Sequence, residues 1–161
     1  MKPTVYLETS VVSYLTAWPS RHLITAANQQ ITHEWWREER DKYELFVSEA
    51  VIEEASAGDP EMAKARLEIL NPLILLTPKG VEAALARQLF DKGPLPAKAA
   101  VDAVHISFAA VHGLDYLLTW NCKHIANAQM WRSIIAICQR NGYEPPIICT
   151  PAELLGRNLG E

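Results

Sequence analysis

Glu8, Glu54 and Asp102 are three acidic residues far apart in the chain, each set against an apolar stretch. Glu8 closes the run Thr4-Val5-Tyr6-Leu7, and Glu54 lies in Val51-Ile52-Glu53-Glu54-Ala55. Asp102 interrupts Ala99-Ala100-Val101-Asp102-Ala103-Val104-His105-Ile106. An ionised carboxylate is costly to bury unless it is paired or bound to a metal. Three that converge repel one another, and a divalent cation relieves the repulsion. If the fold brings them together, the chemistry is that of a metal-dependent enzyme. A donor set of hard oxygens without thiolates suits Mg²⁺ or Mn²⁺ rather than zinc.

Helical periodicity sorts the candidates. Glu53 shares its face with Glu49 and Ser56 and reads as solvated, whereas Glu54 shares its face with Ala50, Val51 and Gly58 and reads as partly inward. Asp102 shares its face with His105, Ile106 and Ala109, an unusual place for a carboxylate; the alternative is a structural aspartate near a helix N-terminus. His105 and His124 read either as assistants to chemistry or as satisfied core residues. Asn121 cannot act as a base, but its carbonyl can ligate a metal or hold a water. Lys98 and Lys123 are candidate phosphate contacts or simply solvated lysines. No Walker A loop, Gly-x-Gly-x-x-Gly, Gly-x-Ser-x-Gly or His-Glu-x-x-His is present, which removes the usual phosphate cradles, serine elbows and zinc helices.

These residues must be positioned by an alternation of short apolar runs and helical stretches. The predicted strands are Val5–Leu7, Leu45–Val47, Leu73–Leu76, Tyr116–Thr119 and Ile147–Cys149. Each is short and continuously apolar, as parallel strands buried on both faces are. Alternation with helices implies a layered α/β fold with right-handed crossovers. Ligand sites in such sheets lie at the carboxyl ends of strands, which puts Glu8, the Thr9-Ser10 pair and Asn121 on one rim. Asp59-Pro60, Thr77-Pro78 and Thr150-Pro151 each offer an N-cap followed by proline, so each predicts a helix start. Thr150 and Glu153 add capping-box spacing. Gly58 and Gly113 suit helix ends, and Gly93-Pro94-Leu95-Pro96 is a loop. Most of Trp18–Lys42 reads as a long helix. It is either an amphipathic cover with its tryptophans packed inward or a partner surface.

The 161 residues predict a single domain, residues 1–161. Hydrophobic residues at 49% against 21% charged are enough for a real core. No window approaches a membrane span, and the N-terminus has no apolar leader, so a cytoplasmic location is expected. A net charge of −4 argues against a general nucleic-acid coat but not against a nuclease whose cations offset an acidic site. Cys122, Cys138 and Cys149 are odd in number, lack metal-site spacing and read as reduced.

Four blocks in order carry a family resemblance. Tyr6-Leu7-Glu8-Thr9-Ser10-Val11-Val12-Ser13-Tyr14-Leu15 resembles the opening of PIN-domain proteins. Val47-Ser48-Glu49-Ala50-Val51-Ile52-Glu53-Glu54 resembles their second block, Asp102-Ala103-Val104-His105-Ile106 the third, and Leu117-Leu118-Thr119-Trp120-Asn121-Cys122-Lys123-His124 the fourth. The resemblance, VapC-like, implies a three-layer α/β/α sandwich around a parallel sheet of four to five strands. It implies a Mg²⁺- or Mn²⁺-dependent endoribonuclease with catalytic residues Glu8, Glu54, Asp102 and Asn121. The first three would hold the metal, with Thr9, Ser10 and His105 supporting them. Many small bacterial members are toxins neutralised by a small antitoxin protein, and many are homodimers. RNA, an antitoxin and a second copy are therefore the implied partners. Two positions depart from the pattern: the first acid is usually Asp rather than Glu8, and the fourth position is often acidic rather than Asn121. Three carboxylates suffice for one metal. The competing readings are an inactive PIN-like module that binds RNA or protein, and a phosphohydrolase of small esters.

Overall fold

The computed structural model describes residues 1–93 and 95–156; Pro94 of the expected loop lies outside them. Among the described residues, the strands are β1 (Thr4–Leu7), β2 (Glu44–Val47), β3 (Ile74–Leu75), β4 (Tyr116–Leu118) and β5 (Ile147–Cys149). They form one parallel sheet in the order β3-β2-β1-β4-β5. The α-helices are α1 (Thr9–Thr16), α2 (Leu23–Glu38), α3 (Glu49–Ala55), α4 (Pro60–Leu70), α5 (Glu82–Asp91), α6 (Ala100–Val111) and α7 (Ala128–Arg140).

The strand order sets the layers. The chain steps from β1 to β2 to β3 in one direction, then crosses back to β4 and β5. Right-handed crossovers in opposite directions put their helices on opposite faces. Accordingly α1 packs with α2, α3 and α4, while α5 packs with α6 and α7. This is the expected three-layer α/β/α sandwich. β1 and β4 lie side by side but feed crossovers in opposite directions, which opens a crevice at their carboxyl ends.

The central strands are buried as their composition requires: Val5, Tyr6, Leu7, Leu117 and Leu118 are all sealed from solvent. The outer strands are not. Ile74 and Leu75 on β3 and Ile147 on β5 are exposed, because an edge strand has a neighbour on one side only. Trp35 on α2 is buried and Trp36 half-buried, but Trp18, Leu23 and Ile24 are exposed ahead of and at the start of that helix. The inward-packed reading therefore describes Trp35, whereas Trp18 stays outside the core. The Cys138 and Cys149 thiols are buried and pushed up to about 11 and about 12 by that burial, whereas Cys122 is exposed; all three are free.

Of the three proline-marked helix starts, one forms as expected. Asp59 caps α4, accepting from the N–H groups of Glu61 and Met62. Thr77-Pro78 does not begin a helix; α5 starts at Glu82. Gly80 adopts φ +85, which a helix cannot continue through. The Glu82 carboxylate instead gathers the N–H groups of Lys79, Gly80 and Val81 at 2.7, 2.9 and 3.1 Å. After Thr150 the capping-box bond does form, with Thr150 N–H donating to Glu153 at 2.7 Å. It closes only turns, which Gly156 at φ +58 ends.

Glu82 is buried and also meets His112 Nε2 at 3.0 Å. Burial disfavours its ionised form, but the backbone amides and His112 outweigh that and hold the carboxyl below the usual range. A group whose folded pKa is depressed stabilises the fold above its unfolded pKa and loses that contribution as pH falls through the folded value. Stability should therefore decline as pH drops below about 4.3, the unfolded glutamate value. Glu82→Gln should cost about 1–3 kcal/mol at neutral pH and flatten that decline. Urea unfolding of both proteins across the acid range checks this; parallel pH profiles would contradict it.

Candidate functional site

Glu8 follows the last residue of β1 and is the N-cap of α1. It is 5% exposed, so its charge must be answered from inside. Three donors do so on one oxygen: Ser10 N–H at 3.0 Å, Thr119 Oγ1 at 2.7 Å and the Ser10 hydroxyl. Thr119 follows β4, so Glu8 ties the two strands that flank the crevice. Its length, one methylene beyond the usual aspartate, is taken up by folding back onto the first turn of α1. The same two hydroxyls also organise the loop beyond β4. Ser10 Oγ accepts from Trp120 N–H at 2.8 Å, and Thr119 Oγ1 accepts from Asn121 N–H at 2.9 Å. Trp120 stacks on Tyr14, and its indole N–H donates to buried Thr32 at 2.7 Å, which fastens this loop to α1 and α2.

Glu54 stands on α3 with its side chain 38% exposed. Glu53 and Glu49 face solvent beside it, as their spacing predicts. Thr9 Oγ1 donates to Glu54 Oε1 at 2.7 Å, and His105 Nε2 lies 2.6 Å from the same oxygen. Burial disfavours its charge, but His105, by hydrogen bond and by charge, and Thr9 outweigh this, so the carboxyl lies below the usual range. His105 is fully buried on α6, and its Nδ1 meets Tyr6 Oη at 2.7 Å; Tyr6 Oη in turn meets Ser48 Oγ at 2.6 Å. Burial drives the Tyr6 pKa far up, so it is a neutral hydroxyl. Glu8, Glu54 and His105 each offer a ligand atom, and these atoms lie within 4.8 Å of one another.

Asp102 sits in the first turn of α6, half-buried, in a pair of its own. Asn121 Nδ2 is 2.9 Å from Oδ1, and His124 Nδ1 is 3.0 Å from Oδ2. His124 N–H donates to Asn121 Oδ1 at 3.1 Å, closing the arrangement. Burial raises the Asp102 carboxyl above its usual range; the hydrogen bond and charge of His124 and the charge of His105 oppose this, while the charge of Glu54 adds to it. Asp102 is thus within electrostatic reach of Glu54 and His105 without belonging to their tight group. Lys98 and Lys123 are both exposed.

The structure therefore gathers the sequence candidates into two adjoining sets. One holds Glu8, Glu54 and His105 with Thr9 and Ser10, and the other holds Asp102 and Asn121 with His124. Sequence reasoning missed Tyr6, Ser48 and Thr119. In the sequence they read as strand or block content, yet a usable signal is present. Residues in a strand alternate faces, so Tyr6 points away from the side of Val5 and Leu7. Ser48 and Thr119 both follow the carboxyl ends of strands, where sites form.

No family model and no curated protein sequence matches this chain. In three dimensions it is similar to the crystal structure of VapBC2 from Rickettsia felis bound to a DNA fragment from their promoter, at 15% identity and a TM-score of 0.53. The superposition covers 91% of this chain and 98% of that one. At that identity the likeness speaks for the fold, and the fold it supports is the PIN-like α/β/α sandwich.

Proposed function

We propose that this chain is a metal-dependent nuclease that hydrolyses phosphodiester bonds of RNA. The observation that carries the reading is the convergence of Glu8, Glu54 and His105 within 4.8 Å at the carboxyl rim of the sheet, with Asp102 alongside. The donors fit a divalent cation of the Mg²⁺ or Mn²⁺ kind: two carboxylates from separate elements, one of them half-exposed and reachable from solvent. When bound, such a cation neutralises charge on the scissile phosphate and makes a water more acidic.

The chain's own residues supply the rest. Ser10 and Thr119 fix the Glu8 carboxylate, and Thr9 fixes that of Glu54, so the two donors are held before a cation arrives. In this reading Asp102, whose carboxyl is raised by burial, orients the attacking water or receives its proton. Asn121 and His124 hold both of its oxygens in register. RNA as the substrate is supported by the four sequence blocks. A small antitoxin-type protein as partner is supported by the fold's likeness to a VapBC complex.

An inactive module that binds RNA or protein is the second reading, favoured by Glu8 standing where aspartate is usual and Asn121 where an acid is often found. One assay separates the two. Purified protein should cleave RNA with Mg²⁺ or Mn²⁺, and Asp102→Asn should lower the rate by about 100-fold or more while leaving the circular dichroism unchanged. Full activity in Asp102→Asn would remove Asp102 from the mechanism, and RNA affinity without cleavage would favour the module. Thr119→Val takes a hydroxyl from Glu8, and Thr119→Ser keeps it. The valine variant should lose about 10-fold or more in cation affinity and the serine variant little, as read by isothermal titration with Mn²⁺. Equal affinities would show that Thr119 does not position Glu8.

A further inference from the structure

His105 is a fully buried histidine on an apolar helix whose two nitrogens both have partners. A neutral imidazole has one N–H donor and one acceptor nitrogen. With Glu54 ionised, its carboxylate accepts, so Nε2 carries the proton. Nδ1 must then accept from Tyr6 Oη, which in turn accepts from Ser48 Oγ. The far end of this chain consists of two hydroxyls, each able to donate or accept. The opposite direction is equally well bonded: Nδ1–H donates to Tyr6, Tyr6 donates to Ser48, and the Nε2 lone pair is released toward Glu8 and Glu54. The proton lost at Nε2 is matched by the one gained at Nδ1, so the total is unchanged.

We propose that His105 Nε2 is the third protein ligand of the cation, with Glu8 and Glu54, and that the Ser48–Tyr6–His105 chain reverses direction when the cation binds. The proposal rests on the nuclease reading for the presence of a cation at this site. Asp102 was the sequence's choice for the third ligand, but both of its oxygens already have partners, and it lies outside the group within 4.8 Å. Bonds of about 2.1 Å to an octahedral ion set adjacent donors about 3 Å apart. His105 Nε2 and Glu54 Oε1, now at 2.6 Å, need to open only slightly to meet that spacing. The Tyr6 hydroxyl gives Nδ1 a partner in either direction. Phenylalanine at position 6 would fill the same space but leave Nδ1 without one. An imidazole among carboxylates also shifts the preference from Mg²⁺ toward Mn²⁺.

The test is pulsed electron paramagnetic resonance of the protein loaded with Mn²⁺, which reads nitrogen coupling from a directly bound imidazole independently of cleavage. Wild type should show one histidine nitrogen. His105→Gln should lose it and bind Mn²⁺ about 10-fold more weakly or worse, and Tyr6→Phe should weaken binding to a comparable extent. His124→Gln should keep the coupling, and Mg²⁺ should displace Mn²⁺ only at large excess. If His105→Gln fails to fold, the wild-type and His124→Gln spectra still decide. Bound Mn²⁺ without nitrogen coupling, or coupling lost in His124→Gln, overturns the ligand assignment and leaves the nuclease reading standing. No Mn²⁺ binding at millimolar concentration overturns both.

Discussion

At the end of the central strand a carboxylate, that of Glu8, is folded into the interior, and the surrounding chain is arranged to answer its charge. The N-terminus of α1 and the hydroxyls of Ser10 and Thr119 do so. Each hydroxyl has a second bond, to the N–H of Trp120 or Asn121. The turn beyond β4 is therefore positioned by the same oxygens that satisfy Glu8. Asn121 then hands the order on to Asp102 and His124. An orphaned buried donor or acceptor costs about 1–3 kcal/mol, more than the roughly 1 kcal/mol a typical bond contributes net. The network is consequently held by the penalty for breaking it more than by the strength of any one link.

The second network joins the two helical layers over the rim. Glu54 comes from α3 on one side of the sheet and His105 from α6 on the other, and Tyr6 in β1 reaches toward the α6 side from between them. α3 and α6 are brought together here by polar contact across the crevice. The apolar core can position both helices, but the Glu54–His105–Tyr6–Ser48 chain and the Thr9 hydroxyl fix which way the carboxylate presents itself. Fold and site meet in one residue: Tyr6 is core by burial and site by its hydroxyl.

The sequence was legible where a residue's type and its periodicity agreed. The five strands were visible as apolar runs, and Glu54 could be told from Glu53 because Glu49, Glu53 and Ser56 make a solvated face. It was less legible where the outcome depends on a distant partner. Thr77-Pro78 has every local mark of a helix start, yet Gly80 and the carboxylate of Glu82 move that start four residues on. Ser48, Thr119 and Tyr6 carry no charge and no motif; their importance arises only once β1, β2 and β4 are set side by side. The edge strands read as buried because composition does not say which strands have two neighbours.

Glu8 and Asn121, the two departures from the pattern that the sequence blocks resemble, can be read together through charge. An acid at position 121 would face Asp102, itself already raised by burial and by the charge of Glu54, and two carboxylates at that spacing disfavour each other's ionised form. Asn121 presents an N–H₂ instead, donating to Asp102 at 2.9 Å while its carbonyl accepts from His124. Repulsion is thereby replaced by attraction. Glu8, through its extra methylene, reaches three donors of its own. Every carboxylate of the rim thus has protein partners. The contact between His105 and Glu54 joins the half-exposed carboxylate of this rim to its fully buried interior.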